Sequence, residues 1–301
     1  TIDHFKEKEQ QTVMFTCTLF GIDRQVCYRK IKRRKTKQDK AKQVVDMVLE
    51  IRTAMPRIGS KKLYFLLHKE LNILKIGRDK FIDILRANHL LIVSKRSYHI
   101  TTNSHHRFRK YKNQILDLQI DRPEQVWASD ITYIGKREKP CYLSLITDVY
   151  SKKIVGYNVS DNLNTESSLA ALKSAIKQRK NKYTPLIHHS DRGLQYCAND
   201  YQKTLKRNNI KPSMTQNSDP YENAVAERVN GILKQEFNID KFNKDLPIMK
   251  QIIKESIEIY NEKRPHYSNY MLTPNQMHNQ NEIKMRTYKT KNSIKNVFDA
   301  V

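Results

Sequence analysis

Two periods of apolar residues divide the chain. Up to about residue 91 they recur at helical spacing, and from residue 124 they form short β-branched and aromatic runs. Residues 12–32, TVMFTCTLFGIDRQVCYRKIK, predict two short helices broken at Gly21. Asp23 would cap the second, with Val26, Cys27 and Ile31 facing inward. The stretch KIKRRKTKQDK is too charged for a core and reads as a basic connector. Residues 41–91 predict three more helices. Their apolar faces are Val44, Val45, Val48 and Ile51, then Leu63, Leu66 and Leu67, then Phe81, Ile82 and Leu85, with Pro56, Gly59 and Gly77 as punctuation. Residues 94–122 are polar and basic and read as a linker.

The second half predicts an α/β unit. QVWASDITYIG, CYLSLITDVYS and KIVGYNVS read as an antiparallel meander. An amphipathic helix at 164–180 follows, with Leu169, Leu172, Ala175 and Ile176 on one face. Next come a buried strand in TPLIHHSD, a helix near 199–208, a strand at IKPSM, a helix from Glu222 and a long helix near 246–262. Three meander strands followed by αβαβα is an uncommon order and narrows the fold to a mixed sheet flanked by helices.

Charge changes the picture next. The chain of 301 residues carries a net +25, and residues 1–120 hold 27 Lys/Arg against 11 Asp/Glu. That excess points to a polyanion, foremost nucleic acid, because Lys and Arg displace counterions condensed on phosphates. Mere solubility, or association with a ribosome, is the bland reading. Short helices with basic outer faces suit helix-turn-helix modules, with Arg24, Arg29, Arg78 and Lys80 as DNA contacts, although any small helical bundle reads the same way. Cys17, Cys27, Cys141 and Cys197 form no CxxC pair, which argues against a zinc ribbon or a disulfide scaffold. No apolar run reaches bilayer-spanning length and the N-terminus lacks a signal-peptide pattern, so the expectation is a cytoplasmic protein with no membrane partner.

Against that background the acids stand out. Asp130 lies inside the first strand, in WASDITYI, and Asp191 closes the fourth, in HHSDRGLQY. If the sheet grows outward from the first strand, these strands are neighbours and both carboxylates open into one cleft. The segment NSDPYENAVAERVNGILKQEF offers a third acid. On a helix, Glu222 lies about 140° and Glu236 about 180° from Glu227, so only one faces the aspartates. Glu227 shares its face with Asn230, Gly231 and Lys234, while Ala224, Val225 and Val229 supply the packing side. Each acid alone reads as a surface residue or a cap. Three together suit hard cations such as Mg²⁺ or Mn²⁺, and two such ions can drive phosphodiester chemistry.

Residues 124–285 resemble the ribonuclease-H-like catalytic core of the DDE recombinases, the retroviral-integrase superfamily. Thirty-five residues separate Asp191 from Glu227, and Lys234 follows seven positions later, as in the D,D-35-E group. WASDITYI, HSDRGLQY, ENAVAERVNGILKQE and YNEKRPH followed by TP are similar to bacterial insertion-sequence transposases of the open-reading-frame-B type. RIGSKKLYFLLHKELNILKIGRDKFIDILRANHLL resembles the helical DNA-binding segment preceding their core. The division implied is 1–36 a helix-turn-helix-like element and connector, 37–93 a helical DNA-binding domain, 94–123 a linker, 124–285 a five-stranded core and 286–301 a tail.

The resemblance implies that Asp130, Asp191 and Glu227 hold two Mg²⁺ or Mn²⁺ ions. It implies DNA contacts from Asn230, Lys234, Arg192, His189 and Arg264, the last as a DNA-contacting or structural corner. Asp148 is expected to be structural and Trp127 core. His188 and His189, adjacent on a strand, point to opposite faces and are expected to pack and contact substrate. The implied activity is metal-dependent cleavage and strand transfer at insertion-sequence ends. The implied partners are end and target DNA, a second copy of the chain, and an upstream-reading-frame product. A nuclease without strand transfer and a non-catalytic DNA-binding regulator are the other classes; the first has little need of so large a basic N-terminal region, and the second would have lost part of the triad.

Overall fold

The computed structural model describes residues 12–93, 110–135, 140–216, 223–242 and 244–280. Two compact units emerge, residues 1–53 with 58–93, and 54–57 with 94–301.

In the first unit, α1 (Val13–Leu19) begins at Thr12, whose hydroxyl accepts the Phe15 N–H at 3.2 Å. After the turn at Gly21, α2 runs unbroken from Arg24 to Ala54, 31 residues. The expected connector KIKRRKTKQDK is therefore the middle of a helix. Lys, Arg and Gln are good helix formers, and no Gly or Pro interrupts the segment. High charge ruled out a core there but said nothing against helical backbone. Of the three residues expected to face inward, Cys27 alone is buried, and Val26 and Ile31 are exposed. α3 (Ser60–Leu66), α4 (His68–Ile73) and α5 (Arg78–Ala87) complete the unit. Val44, Val48, Leu63, Leu71, Phe81 and Leu85 are fully buried. Lys40 Nζ donates to Leu74 O at 2.9 Å and Arg52 Nη2 to Leu90 O at 2.7 Å, which ties α2 to the segments that end α4 and α5.

The second unit is built on a five-stranded sheet in the order β3-β2-β1-β4-β5. β1 (Val126–Ile134), β2 (Cys141–Asp148) and β3 (Ile154–Ser160) form the antiparallel meander. β4 (Leu186–Ser190) adds parallel to β1, and β5 (Ile210–Met214) parallel to β4. The crossover helix α6 (Thr165–Gln178) packs on β3. Gly156 makes that approach possible, because a Cβ there would overlap the Ala171 carbonyl and sit 2.7 Å from the Ala175 Cβ. α7 (Leu194–Cys197) and α8 (Asn199–Arg207) lead from β4 to β5. One core joins Trp127, Ile146, Val155, Leu172, Leu186, Tyr201 and Leu205 from both layers. α9 (Ala224–Glu236), α10 (Leu246–Glu262) and α11 (Pro274–Asn279) follow, the last opened by a Thr273/Gln276 capping box.

Three local expectations change. Residues 110–123 run with the core, since Gln114 N donates to Ser213 Oγ at 2.9 Å, its Nε2 to Pro212 O at 3.2 Å, and Tyr111 packs on the apolar cluster. The core therefore starts before residue 124. On α9 the packing side is Ala226, Val229, Asn230, Ile232 and Leu233, and Ala224 is exposed. Glu236, read as a surface acid, receives a two-pronged bond from buried Arg264, both N–O distances being 2.8 Å. The expected helix start at Glu222, the 94–109 part of the linker and the tail lie outside the described residues.

Candidate active site

Parallel register brings the two aspartates together. Ser129 and Ser190 form the last registered pair of β1 and β4, and the next residues are Asp130 and Asp191. Two carboxylates thus stand side by side where the β1–β4 pairing ends, Asp130 midway along β1 and Asp191 just past β4. Asp130 Oδ1 accepts the Ile131 N–H at 2.9 Å, and its Oδ2 accepts the Asn230 amide from α9 at 2.7 Å. Asp191 Oδ1 accepts the Gly193 N–H at 3.0 Å. A Cβ at Gly193 would stand 2.9 Å from that oxygen, so a side chain there would displace the carboxylate.

The acids feel one another. Burial, then the charge of Asp191, push the Asp130 carboxyl up to about 7, against the bonds from Asn230 and Ile131 that favour its ionised form. Glu227, in the first turn of α9, is raised by partial burial and by Asp191. Lys234 is lowered by burial, while Asp240 and Asp130 act to keep it charged. The donor chemistry is that of a hard-cation site. Among the described residues, however, no three His, Cys, Asp or Glu side chains converge closely enough to hold one ion. Asp130 and Asp191 stand as a pair, and Glu227 is exposed on its helix.

Beneath the aspartates lies a polar chain that sequence reasoning missed. His188 Nε2 meets Ser129 Oγ at 2.6 Å and Tyr201 O–H at 2.9 Å, bridging β1 to α8. Burial, with a smaller contribution from His189, depresses His188 to about 3, so its ring is neutral. Asn223 Nδ2 donates to Ser129 O at 3.0 Å and fixes the start of α9 over β1. With the helix expected to start at Glu222, Asn223 fell inside it and carried no signal of this role.

The expected site residues divide. Asp130, Asp191, Glu227, Asn230 and Lys234 fall in one electrostatically linked region, with Arg192 beside Asp191. His188 and His189 face opposite ways as expected, but His189 is wholly buried, its Nδ1 at 2.9 Å from Ser213 Oγ. Arg264 is 2% exposed and committed to Glu236. Neither is placed to touch DNA, because each exchanged solvent for a partner inside the fold. Asp148 is structural: it is fully buried and accepts the Glu124 N–H at 2.7 Å and the Ser151 N–H and O–H at 2.8 and 2.7 Å. Burial alone would raise its carboxyl, yet neighbouring His278 and Ser151 hold it below the ordinary value. Arg24, Arg29, Arg78 and Lys80 are exposed on the other unit.

Comparison with known proteins bears on this geometry. Two families, both described as integrase core domain, match residues 120–220 and 208–274. Transposase InsF for insertion sequence IS3fB of Escherichia coli K12 is 35% identical over 166 residues, 55% of this chain and 57% of InsF. The insertion element IS600 31 kDa protein of Shigella sonnei is 33% identical over 262 residues, 83% of this chain and 92% of that protein. The chain belongs to the insertion-sequence transposases of the integrase superfamily. Among solved structures, the transposase is similar to the HTLV-2 integrase catalytic core domain in complex with magnesium, at 19% identity and TM-score 0.42 over 52% of this chain and 97% of that one. It is also similar to a chain of the simian T-cell lymphotropic virus intasome, at 18% identity and TM-score 0.47 over 77% and 78% of the two chains. No helix among the transposase's described residues is long and apolar enough to cross a membrane.

Proposed function

We propose that this DDE transposase nicks DNA at the ends of its insertion sequence and joins the freed strand to target DNA, with Asp130, Asp191 and Glu227 holding two Mg²⁺ or Mn²⁺ ions. One observation carries the reading. Two carboxylates stand side by side where adjacent parallel strands stop pairing, and Asp130 is pushed to about 7 by burial and by its neighbour. That pairing is costly by itself and is relieved by a cation. When bound, divalent ions activate the attacking oxygen and stabilise the leaving one. The chain's own residues do the positioning. Asn230 fixes one oxygen of Asp130, and the Gly193 N–H fixes one of Asp191. Lys234 and Arg192 supply positive charge where a scissile phosphate would approach. The basic N-terminal region holds end DNA, and two copies act together on end and target DNA, alone or with an upstream-reading-frame product.

The test uses labelled end DNA at one salt concentration. Cleavage and strand transfer should require Mg²⁺ or Mn²⁺ and stop in EDTA. Asp130→Asn, Asp191→Asn and Glu227→Gln should each abolish both steps while end binding persists, since DNA contacts are spread over many basic residues. Activity in chelator, or an active Glu227→Gln enzyme, would overturn the assignment. Cleaved ends that never join a target would favour a nuclease without strand transfer.

A further inference from the structure

One buried hydroxyl beside the aspartates is bonded to nothing. Tyr196, on the short helix α7, is 3% exposed, and its O–H has no hydrogen-bond partner among the described residues. The residue itself is firmly held. Its N–H donates to Gly193 O at 3.1 Å, and Gln202 Nε2 donates to its carbonyl at 2.7 Å. The ring centroid lies 6.0 Å from that of His188 and 5.5 Å from that of Tyr201, the second contact edge-on. The ring also borders the acids. A Cβ on Gly193 would stand 3.5 Å from Tyr196 Cδ2 and 2.9 Å from Asp191 Oδ1, so ring edge and carboxylate share one space. Burial, then Tyr201, Asp191 and Asp130, hold the phenol well above its ordinary value, which puts its oxygen within electrostatic reach of both aspartates. Even an unperturbed phenol is protonated at neutral pH, so this one is a donor. Stranding a hydroxyl in a core forfeits the bonds it made in water, and a phenylalanine ring would fill the same space without that loss. Ring packing therefore leaves the oxygen unexplained.

We infer that Tyr196 is a positioning residue for the metal-loaded site, its O–H donating to the Asp130/Asp191 pair from the core side and holding the carboxylates in place to ligate. The inference rests on the two-cation reading above and deepens it. Metal binding requires both acids ionised, and an ionised carboxylate is the stronger acceptor, so the bond strengthens as the metal binds. Asn230 and the Gly193 N–H fix the acids from α9 and from the turn, and Tyr196 adds a donor from the core, the one direction those two leave unsupported. The metal-free chain carries the hydroxyl unbonded, and the loaded chain uses it.

The experiment compares the full chain with Tyr196→Phe and Asp130→Asn. Mn²⁺ alone is the probe, with no DNA present, and electron paramagnetic resonance counts the free ion as protein is added. The wild type should bind, Asp130→Asn should not, and Tyr196→Phe should bind about 10-fold more weakly, as expected for a bond behind a metal ligand. Mn²⁺ should also shift the tyrosine absorbance of the wild type, through the phenol's new bond, and that shift should be missing from Tyr196→Phe. In urea without metal, Tyr196→Phe should be no less stable than the wild type, because it discards a hydroxyl bonded to nothing. On labelled end DNA its kcat should fall while KM stays unchanged. Two results overturn the role. One is a Tyr196→Phe chain with wild-type Mn²⁺ affinity. The other is a Tyr196→Phe chain that loses as much stability without metal as with it, or fails to fold, which would make the hydroxyl a bonded part of the fold. If the wild type binds Mn²⁺ and Asp130→Asn does not, either result removes Tyr196 alone and the two-cation reading stands. A wild type that binds no Mn²⁺ and cleaves no end DNA sinks both.

Discussion

Neutral His188, wedged between Ser129 and Tyr201 beneath Asp130 and Asp191, makes a measurable claim on stability. Its folded-state value near 3 lies below the unfolded reference of about 6.5. Between those limits the unfolded chain takes up a proton that the native chain refuses, so stability falls with falling pH. The contribution is complete above about pH 6.5 and is lost progressively toward pH 3. At pH 5 the loss is RT ln(1 + 10^1.5), about 2 kcal/mol, and it reaches about 4 kcal/mol at pH 3. His188→Gln keeps a side chain able to bond both hydroxyls but removes the titration. Asp130 works with the opposite sign, its raised value favouring the fold as pH drops below 7, yet it is common to both proteins and cancels in their difference. Trp127, the only tryptophan, is fully buried opposite His188 in the β1–β4 register, so its fluorescence reports unfolding of this sheet alone. Urea titrations at pH 7.5 and 5.0 should show the wild type losing about 2 kcal/mol more than the variant. Parallel losses in the two proteins would mean His188 is charged or solvated in the fold, and the buried bridge would be wrong.

Other substitutions test other bonds. Asn230→Ala removes the amide that fixes Asp130, and should lower the apparent Mg²⁺ affinity or the cleavage rate roughly 10–100-fold with end binding unchanged. Unaltered metal titration would remove Asn230 from the site. Gly193→Ala drives a methyl against Asp191 Oδ1, and should cut cleavage by about 100-fold while the Trp127 unfolding midpoint stays near wild type. Normal cleavage would show that the turn tolerates a side chain. Arg264→Ala strands Glu236 without its partner and should destabilise the core by about 3–5 kcal/mol in urea. A stable Arg264→Ala protein with weakened DNA binding would return Arg264 to the DNA surface.

The core and its pair of aspartates were legible because short-range signals agree there. β-branched runs, the Asp at the end of β4 and the 35-residue interval each constrain the same fold. The N-terminal half was harder. Lys and Arg serve a helix and a loop equally well, so KIKRRKTKQDK disguised the centre of α2. Arg264, Glu236 and His189 were misjudged for a related reason: polarity suggests surface, and only tertiary contacts reveal that a partner waits inside. Asn223 and the Ser129–His188–Tyr201 chain depend on contacts across 94, 59 and 13 residues, which no local pattern displays.

The sheet order also has a consequence for when this protein becomes dangerous to DNA. β1, β2 and β3 pair with their nearest neighbours in sequence, so the meander forms early from short loops. The β1–β4 pairing that unites Asp130 with Asp191 waits for a segment some sixty residues downstream, and Glu227 arrives later still. A chain leaving the ribosome carries its first acid long before it can assemble the set. On the proposed assignment the three acids thus double as a completion signal: a truncated or stalled product keeps its basic N-terminal region but lacks the full set.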